Sequence, residues 1–449
     1  MQVEVIATEE MGDRSYVAHD GQVAVVMDPQ RDLDRVQAVL ATHGLRVGLV
    51  CETHRHNDYV TGGYALAQQT GAAYVVPAGE DVVCERRTVG DGDELTAGSL
   101  TVTVVATPGH TDGHVAYVIG DGSGPPAVFT GGSLLYGSVG RTDLVEASRI
   151  EELTRAQYRS ARRLAAMLPD DAAVYPTHGF GSFCSSGSAS AGDTSTIGKE
   201  KAANDALNTA DEDAFVDKLI AGLTAYPAYY AHMGPLNREG PAAPDLSPVT
   251  PVDAEELRSR LAGGEWVVDL RSRTAYAADH AAGTVGIELA TNFATYFGWV
   301  LPRGEAVTLL GESTQQIRDA QRQLARIGVD ELAGASTVPA QTLADGQPLR
   351  SYRRVDFADV AREQPDPPQI LDVRRDDERA HGAIPDSTHI PIHALLDRFA
   401  ELPDGQLWVH CGSGYRASIA ASLLDRAGRD VVLIDDDYTH AVDLDVATG

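Results

Sequence analysis

Cysteine is scarce. The 449-residue chain has four, Cys51, Cys84, Cys184 and Cys411, and no CxxC pair. That excludes a disulfide framework and leaves each as a buried hydrophobe or a reactive thiol. Long apolar runs are missing too: none approaches the ~20 residues a bilayer span needs. Positive charge is outnumbered, with 36 Lys and Arg against 65 Asp and Glu and a net charge of −29. Such a surface repels a duplex or an anionic bilayer, so neither nucleic acid nor membrane is expected as a partner. An anionic substrate would need local positive charge from a metal, an arginine or backbone amides. The first residues carry Glu4, Glu9, Glu10 and Asp13 with no apolar stretch behind them, the wrong charge for a secretory leader. A cytoplasmic, homo-oligomeric protein is expected.

What is present fills about three domains by length, each with enough apolar residues for a core. Val23–Met27 and Val47–Cys51 are apolar runs of strand length, with the helically spaced Leu33–Thr42 between them. Leu100–Ala106 alternates and Ala127–Thr130 is a further short strand. Arg149–Leu168 reads as a long amphipathic helix ended by Pro169. Ser182–Ser195 reads as a loop, Thr196–Leu207 as a helix capped near Ser195, and Pro235–Pro251 as a linker.

An internal repeat follows. Trp266–Arg271 and Ile370–Arg374 are apolar strands ending in Asp-x-Arg. Each leads to a charged helix, a Gly turn, a second strand (Ala306–Leu310, Gln406–His410) and a second helix (Gln316–Ile327, Ala417–Ala427). Two doubly wound α/β domains are expected, joined by Gly334–Arg350.

Three His clusters follow strands in the first half: Thr53-His54-Arg55-His56-Asn57-Asp58, Pro108-Gly109-His110 and Thr177-His178. Loops after strands are where ligands sit in layered α/β folds, and imidazole suits Zn(II) or Fe(II). Convergence of His54, His56, Asp58, His110 and His178 on a metal is expected. Cys184, six residues past His178, is either an incidental thiol or one that binds or relays a sulfane sulfur.

These motifs resemble the metallo-β-lactamase superfamily, in its glyoxalase II and persulfide dioxygenase branch, over residues 1–235. The family motif T-H-x-H-x-D-H ends here in Tyr59, and the bridging Asp of T-G-D-x-L is Gly132. Gly140-Arg141-Thr142-Asp143 keeps the family's G-R-T-D, with Arg141 expected at substrate. Loss of two ligands disfavours a dinuclear thioester hydrolase using zinc. The resemblance to persulfide dioxygenases implies one Fe(II) on His54 and His110, its carboxylate position being Gly132; Asp58, Asp143, His56 and water remain open as substitutes.

His410-Cys411-Gly412-Ser413-Gly414-Tyr415-Arg416 lies between a strand and a helix. Glycines let the loop curl so that its amides face inward as an anion nest, reinforced by the helix N-terminus. Cys411 in that cradle is the expected nucleophile, Arg416 its fixed cation, and Gly412, Ser413, Gly414 and Tyr415 the expected substrate contacts. The spacing resembles the rhodanese loop, Cys, four residues, Arg. Gly311 and Gln316 occupy the equivalent positions of the first repeat, so residues 252–335 are expected to be a silent rhodanese-like domain and 352–445 an active one. The fold expected is α/β: an αββα metallo-β-lactamase sandwich followed by two doubly wound rhodanese-like domains. The resemblance implies oxidation of a low-molecular-weight persulfide to sulfite, coupled to transfer through Cys411 that forms or uses thiosulfate. The alternatives are a sulfurtransferase with a non-oxidative metal-binding domain and a zinc thioester hydrolase.

Overall fold

The computed structural model describes residues 1–187, 192–363 and 368–448; residues 188–191 of the expected Ser/Gly loop lie outside them. The chain divides into two compact units, Met1–Asp245 with Ala325–Gly328, and Leu246–Leu324 with Val329–Gly449.

The first unit stacks two six-stranded sheets. One runs Gln2–Thr8, Asp13–His19, Val23–Met27, Arg46–Cys51, Ala73–Pro77, Arg87–Val89. The other runs Ser195–Thr196, Ala173–Pro176, Ala127–Gly131, Val115–Gly120, Leu100–Ala106, Glu94–Ala97. Val23–Met27 is buried at every position because it is central and covered on both faces. Tyr16, Val25 and Met27 meet Val102, Val104, Tyr117 and Phe129 between the sheets. Helices Asp34–His43 and Gly63–Thr70 cover the outer face of the first sheet through Val36, Leu40 and Leu66. Helix Ile150–Met167 covers the second sheet through Tyr158, Ala161 and Leu164. Helix, sheet, sheet, helix is the αββα layering expected.

The second unit holds two parallel sheets with one plan. The first is ordered Val285–Gly286, Trp266–Asp269, Val307–Leu310, Gly334–Ser336. The second is ordered Arg353–Val355, Val431–Ile434, Leu407–His410, Ile370–Asp372, Thr388–His389. The Asp-x-Arg signatures are the same device twice. Arg271 bridges Asp269 at 2.7 Å, and Arg374 bridges Asp372 at 2.8 Å. Within this unit Asp425 of the second repeat holds His280 at 2.9 Å and Arg350 at 2.5 Å.

Three local expectations need correcting. The helix expected over Thr196–Leu207 is two, Ile197–Ala203 and Asp205–Asn208. Asn204 stays extended because its amide donates to Leu135 O and Ser138 O, and its carbonyl oxygen caps the second helix through Ala206 N–H. The cap of the first helix is Thr196, beside Ser195 as expected. The Pro235–Pro251 linker begins inside helix Tyr230–Arg238. It ends beside strand Gly334–Ser336, where Ala335 N–H donates to Thr250 O at 2.9 Å. Gly334–Arg350 is therefore no plain connector: it supplies that edge strand and helix Ala340–Ala344. No helix among the described residues is long and apolar enough to cross a membrane.

Candidate functional site

Loops at the ends of strands Arg46–Cys51, Leu100–Ala106 and Ala173–Pro176 bring His54, His56, His110 and His178 together. Ring centroids lie 4.8 Å apart for His54–His110 and 5.3 Å for both His54–His178 and His110–His178. All four rings are buried.

Each imidazole is anchored at one nitrogen. His54 Nδ1 donates to Thr53 Oγ1 at 2.8 Å, since that hydroxyl gives its own proton to Asp28. His110 Nδ1 donates to Arg141 O at 2.7 Å, and His178 Nδ1 to Asp13 Oδ1 at 2.9 Å. His56 Nε2 faces Glu52 at 3.2 Å and Asp28 at 3.3 Å. The other nitrogens are left over. His54 Nε2 and His178 Nε2 approach to 3.3 Å, and His110 Nε2 and His56 Nδ1 have no hydrogen-bond partner. An oxygen holding one nitrogen and a bare second nitrogen is how metal-ligating imidazoles are set. Burial, and then the neighbouring His178, bring the His110 pKa down to about 3, and burial holds His54 well below its usual value. Both are thereby kept in the neutral form a metal requires. Burial pulls His178 down, but Asp58 and Asp13 outweigh it and raise its pKa to about 9, so a metal bound at this ring would displace its proton.

Asp58 Oδ2 lies 3.2 Å from His178 Nδ1. Asp143 does not reach the cluster: it pairs with Arg141 at 2.6 Å. Arg141 itself has a different role from the substrate contact expected. Its guanidinium is spent on Asp143, Phe183 O and Thr224 O. Cys184 is brought to the pocket, its sulfur within 4.8 Å of His110 and His178 donor nitrogens.

The second cluster lies in the second unit. Strand Leu407–His410 ends at Cys411, 1% exposed, and helix Tyr415–Arg426 begins four residues later. Gly414 makes the curl at φ +86°, and a Cβ there would land on the Asp435 carboxylate. Arg416 is the second residue of the helix. It is not free: both its terminal nitrogens donate to Glu378, at 2.5 and 2.6 Å. Tyr415, expected at substrate, instead donates its hydroxyl to Glu288 O of the first repeat at 2.8 Å. In that repeat the pocket is filled. Gln316 Oε1 accepts from Glu312 N–H and Nε2 donates to Leu270 O, and a Cβ on Gly311 would sit 3.0 Å from Gln316.

The metallo-β-lactamase superfamily model matches residues 14–178, and the rhodanese-like domain model matches residues 357–441. The chain thus carries a metallo-β-lactamase domain and a rhodanese-like domain. It is 37% identical over 163 residues to hydroxyacylglutathione hydrolase of Brucella anthropi, a match covering 36% of this chain and 58% of that one. The matched stretch therefore spans little more than half of that relative. A metallo-β-lactamase from Staphylococcus aureus subsp. aureus COL shares 28% identity, with a TM-score of 0.66, covering 74% of this chain and 98% of the other. ETHE1 from Myxococcus xanthus shares 29% identity, with a TM-score of 0.46, covering 53% of this chain and 98% of the other.

The metallo-β-lactamase domain fits a metal at its imidazoles, because the unpaired, fully buried His110 Nε2 is otherwise a desolvated polar atom with nothing to bond. It does not fit a carboxylate at position 132. A Cβ on Gly132 would overlap the His110 ring, 2.6 Å from Cγ and 2.8 Å from Nε2. Tyr59 fills the other lost ligand position by stacking on His56 at 4.4 Å. Gly132→Ala is expected to displace His110, cut bound metal at least ~10-fold and cost about 1–3 kcal/mol of stability. Metal analysis and denaturant melts check both numbers.

Four residues of this site escaped the sequence reading. Asp28 accepts from Thr53 N–H, Thr53 Oγ1 and Thr177 Oγ1, tying two His loops together from a strand end. Asp13 and Glu52 hold the His178 and His56 rings. His114 accepts from Gly132 N–H at 2.9 Å and faces Thr107 at 2.8 Å, so it buttresses the pocket. Only His114 had a local signal, its spacing of four from His110.

Proposed function

We propose that this chain processes low-molecular-weight persulfides: the metal-binding domain oxidises the outer sulfur to sulfite, and Cys411 moves sulfane sulfur between persulfide, sulfite and thiosulfate. The observation carrying the reading is Cys411, buried at the start of a Gly-curled loop, with Arg416 in the first turn of the helix that follows. Transfer runs in two balanced steps. Cys411 takes the outer sulfur of R–S–S⁻ as the S–S bond breaks, R–SH leaves with the cysteine proton, and Cys411–S–S⁻ remains. Sulfite then accepts that sulfur, giving thiosulfate and Cys411–S⁻. The other half-reaction is R–S–S⁻ + O₂ + H₂O → R–SH + SO₃²⁻ + H⁺. His54, His110 and His178, with Asp58 nearby, would hold the metal. Iron there would supply dioxygen chemistry; zinc would supply Lewis acidity alone.

A second reading rests on Gly132. With its side of the pocket closed by the His110 ring, the metal domain would bind without oxidising, leaving a sulfurtransferase. A dinuclear hydrolase, a reading the name of the Brucella hydroxyacylglutathione hydrolase would suggest, would need the carboxylate that the ring displaces. The test is Fe(II)-loaded full-length protein given glutathione persulfide. The first reading expects oxygen uptake and thiosulfate from wild type, and oxygen uptake with sulfite accumulating from Cys411→Ser. Sulfur transfer without oxygen uptake would leave the second reading. Absence of both would remove the whole assignment.

A further inference from the structure

Cys184 does not sit as a structural cysteine does. Cys51 belongs to the apolar layer between the sheets. Cys184 is equally buried, but its neighbours are Asp58, Asp13, Arg141 and the Tyr230 hydroxyl, 3.9 Å from its sulfur. Its sulfur, a His178 nitrogen and a His110 nitrogen lie within 4.8 Å of one another. An independent observation concerns the same cluster: His110 Nε2 is fully buried and lacks any hydrogen-bond partner.

We propose that Cys184 is a metal ligand, supplying with His110 and His178 the anionic donor that Gly132 cannot, in a site for one divalent cation of borderline softness, Zn(II) or Fe(II). The inference rests on the metal-domain half of the proposed reading and is narrower than it. Thiolate and imidazole together are the donor set such cations take. Bonds of about 2.0–2.3 Å place tetrahedral donors about 3.3–3.8 Å apart, so the cluster needs to contract by ~1.5 Å at most. On binding, the Cys184 S–H proton leaves to solvent and the sulfur bonds the ion; no electrons move.

The backbone supports this geometry. Arg141 links both ligands: its carbonyl accepts from His110 Nδ1 at 2.7 Å and its N–H donates to Cys184 O at 2.9 Å. Its guanidinium holds the residue before Cys184, through Phe183 O at 3.0 Å. Cys184 N–H donates to Ser182 Oγ at 3.2 Å. Arg141 is thus a positioning residue, which accounts for its lack of a free face toward substrate. Tyr230 would donate to the thiolate, as hydrogen-bonding groups behind metal ligands do.

The experiment is Co(II) loading of the full chain, read by absorption and by metal content. Wild type is expected to bind one ion with a near-ultraviolet thiolate-to-cobalt charge-transfer band. Cys84→Ser should keep the band. Cys184→Ser should lose it, and Zn(II) and Fe(II) affinity should each fall at least ~10-fold. One bound cobalt without the band in wild type would overturn the inference whether or not the variant folds. A band that persists in Cys184→Ser would overturn it equally. No binding by wild type would remove both this site and the metal half of the proposed reading. A normal band in a protein that consumes no oxygen would leave the site standing and remove only the oxidation.

Discussion

Cys411→Ser is expected to lower thiosulfate-to-cyanide sulfur transfer by about 10³-fold or more while leaving the fold unchanged. The size of the loss follows from chemistry, because a serine oxygen neither attacks sulfane sulfur usefully nor carries it as a stable intermediate. The absence of a structural effect follows from place. Cys411 sits at the hinge between strand Leu407–His410 and helix Tyr415–Arg426, and the loop is closed by other groups: Gly414 at φ +86° and the Tyr438 N–H to Gly412 O bond at 3.0 Å. The first repeat is the internal comparison. It keeps the strand, the helix and the Asp269–Arg271 bridge, yet Gly311 and Gln316 leave it neither nucleophile nor cation. Assay of the purified variant beside wild type decides the matter. Residual turnover above a few per cent would mean that another thiol, Cys184 first, carries the sulfur.

The order of that loop was readable from sequence because every part of it is local: a strand, a cysteine, two glycines and an arginine within ten residues. The αββα layering was readable for a similar reason, since apolar periods of strand and helix are short-range signals. What sequence could not give is who satisfies whom across the fold. Arg141 looked like a substrate contact from its motif, but its partners Phe183 and Thr224 are 42 and 83 residues away. Tyr415 lay in the catalytic loop, but its hydroxyl is held by Glu288 across 127 residues. Glu378 sits in the charged helix after Arg374, and in the structure it neutralises Arg416 from 38 residues away. Asn204 broke a helix whose pattern was continuous because its side chain found the carbonyls of Leu135 and Ser138. Each of these is a long-range hydrogen bond overriding a local preference.

Acidification from pH 7 to pH 5 is expected to cost the second unit about 2 kcal/mol through His410 alone. This ring is fully buried at the end of strand Leu407–His410. It stacks on Tyr438 at 5.7 Å and meets Phe357 edge-on at 5.8 Å. Nδ1 lies 3.3 Å from Cys411 O, and Nε2 has no hydrogen-bond partner. Burial drives its pKa down from 6.5 to about 4; Asp372 pulls the other way, and Arg374 and Arg379 reinforce burial. The direction of the effect follows from proton counting. Between those two values the unfolded chain holds a proton on this residue and the folded chain does not. Falling pH therefore favours unfolding, and the contribution present above pH 6.5 is lost progressively toward pH 4. His410→Gln removes the titration, so its stability should fall less steeply than wild type over that window. All three tryptophans, Trp266, Trp299 and Trp408, lie in the second unit. Urea melts followed by tryptophan fluorescence thus report on this unit without the histidines of the metal pocket. Equal slopes against pH for wild type and His410→Gln would mean that His410 takes up its proton in the native state as readily as in the unfolded one. The ring would then have to reach water or a new acceptor beside Cys411, and the closed environment described for that loop would be wrong.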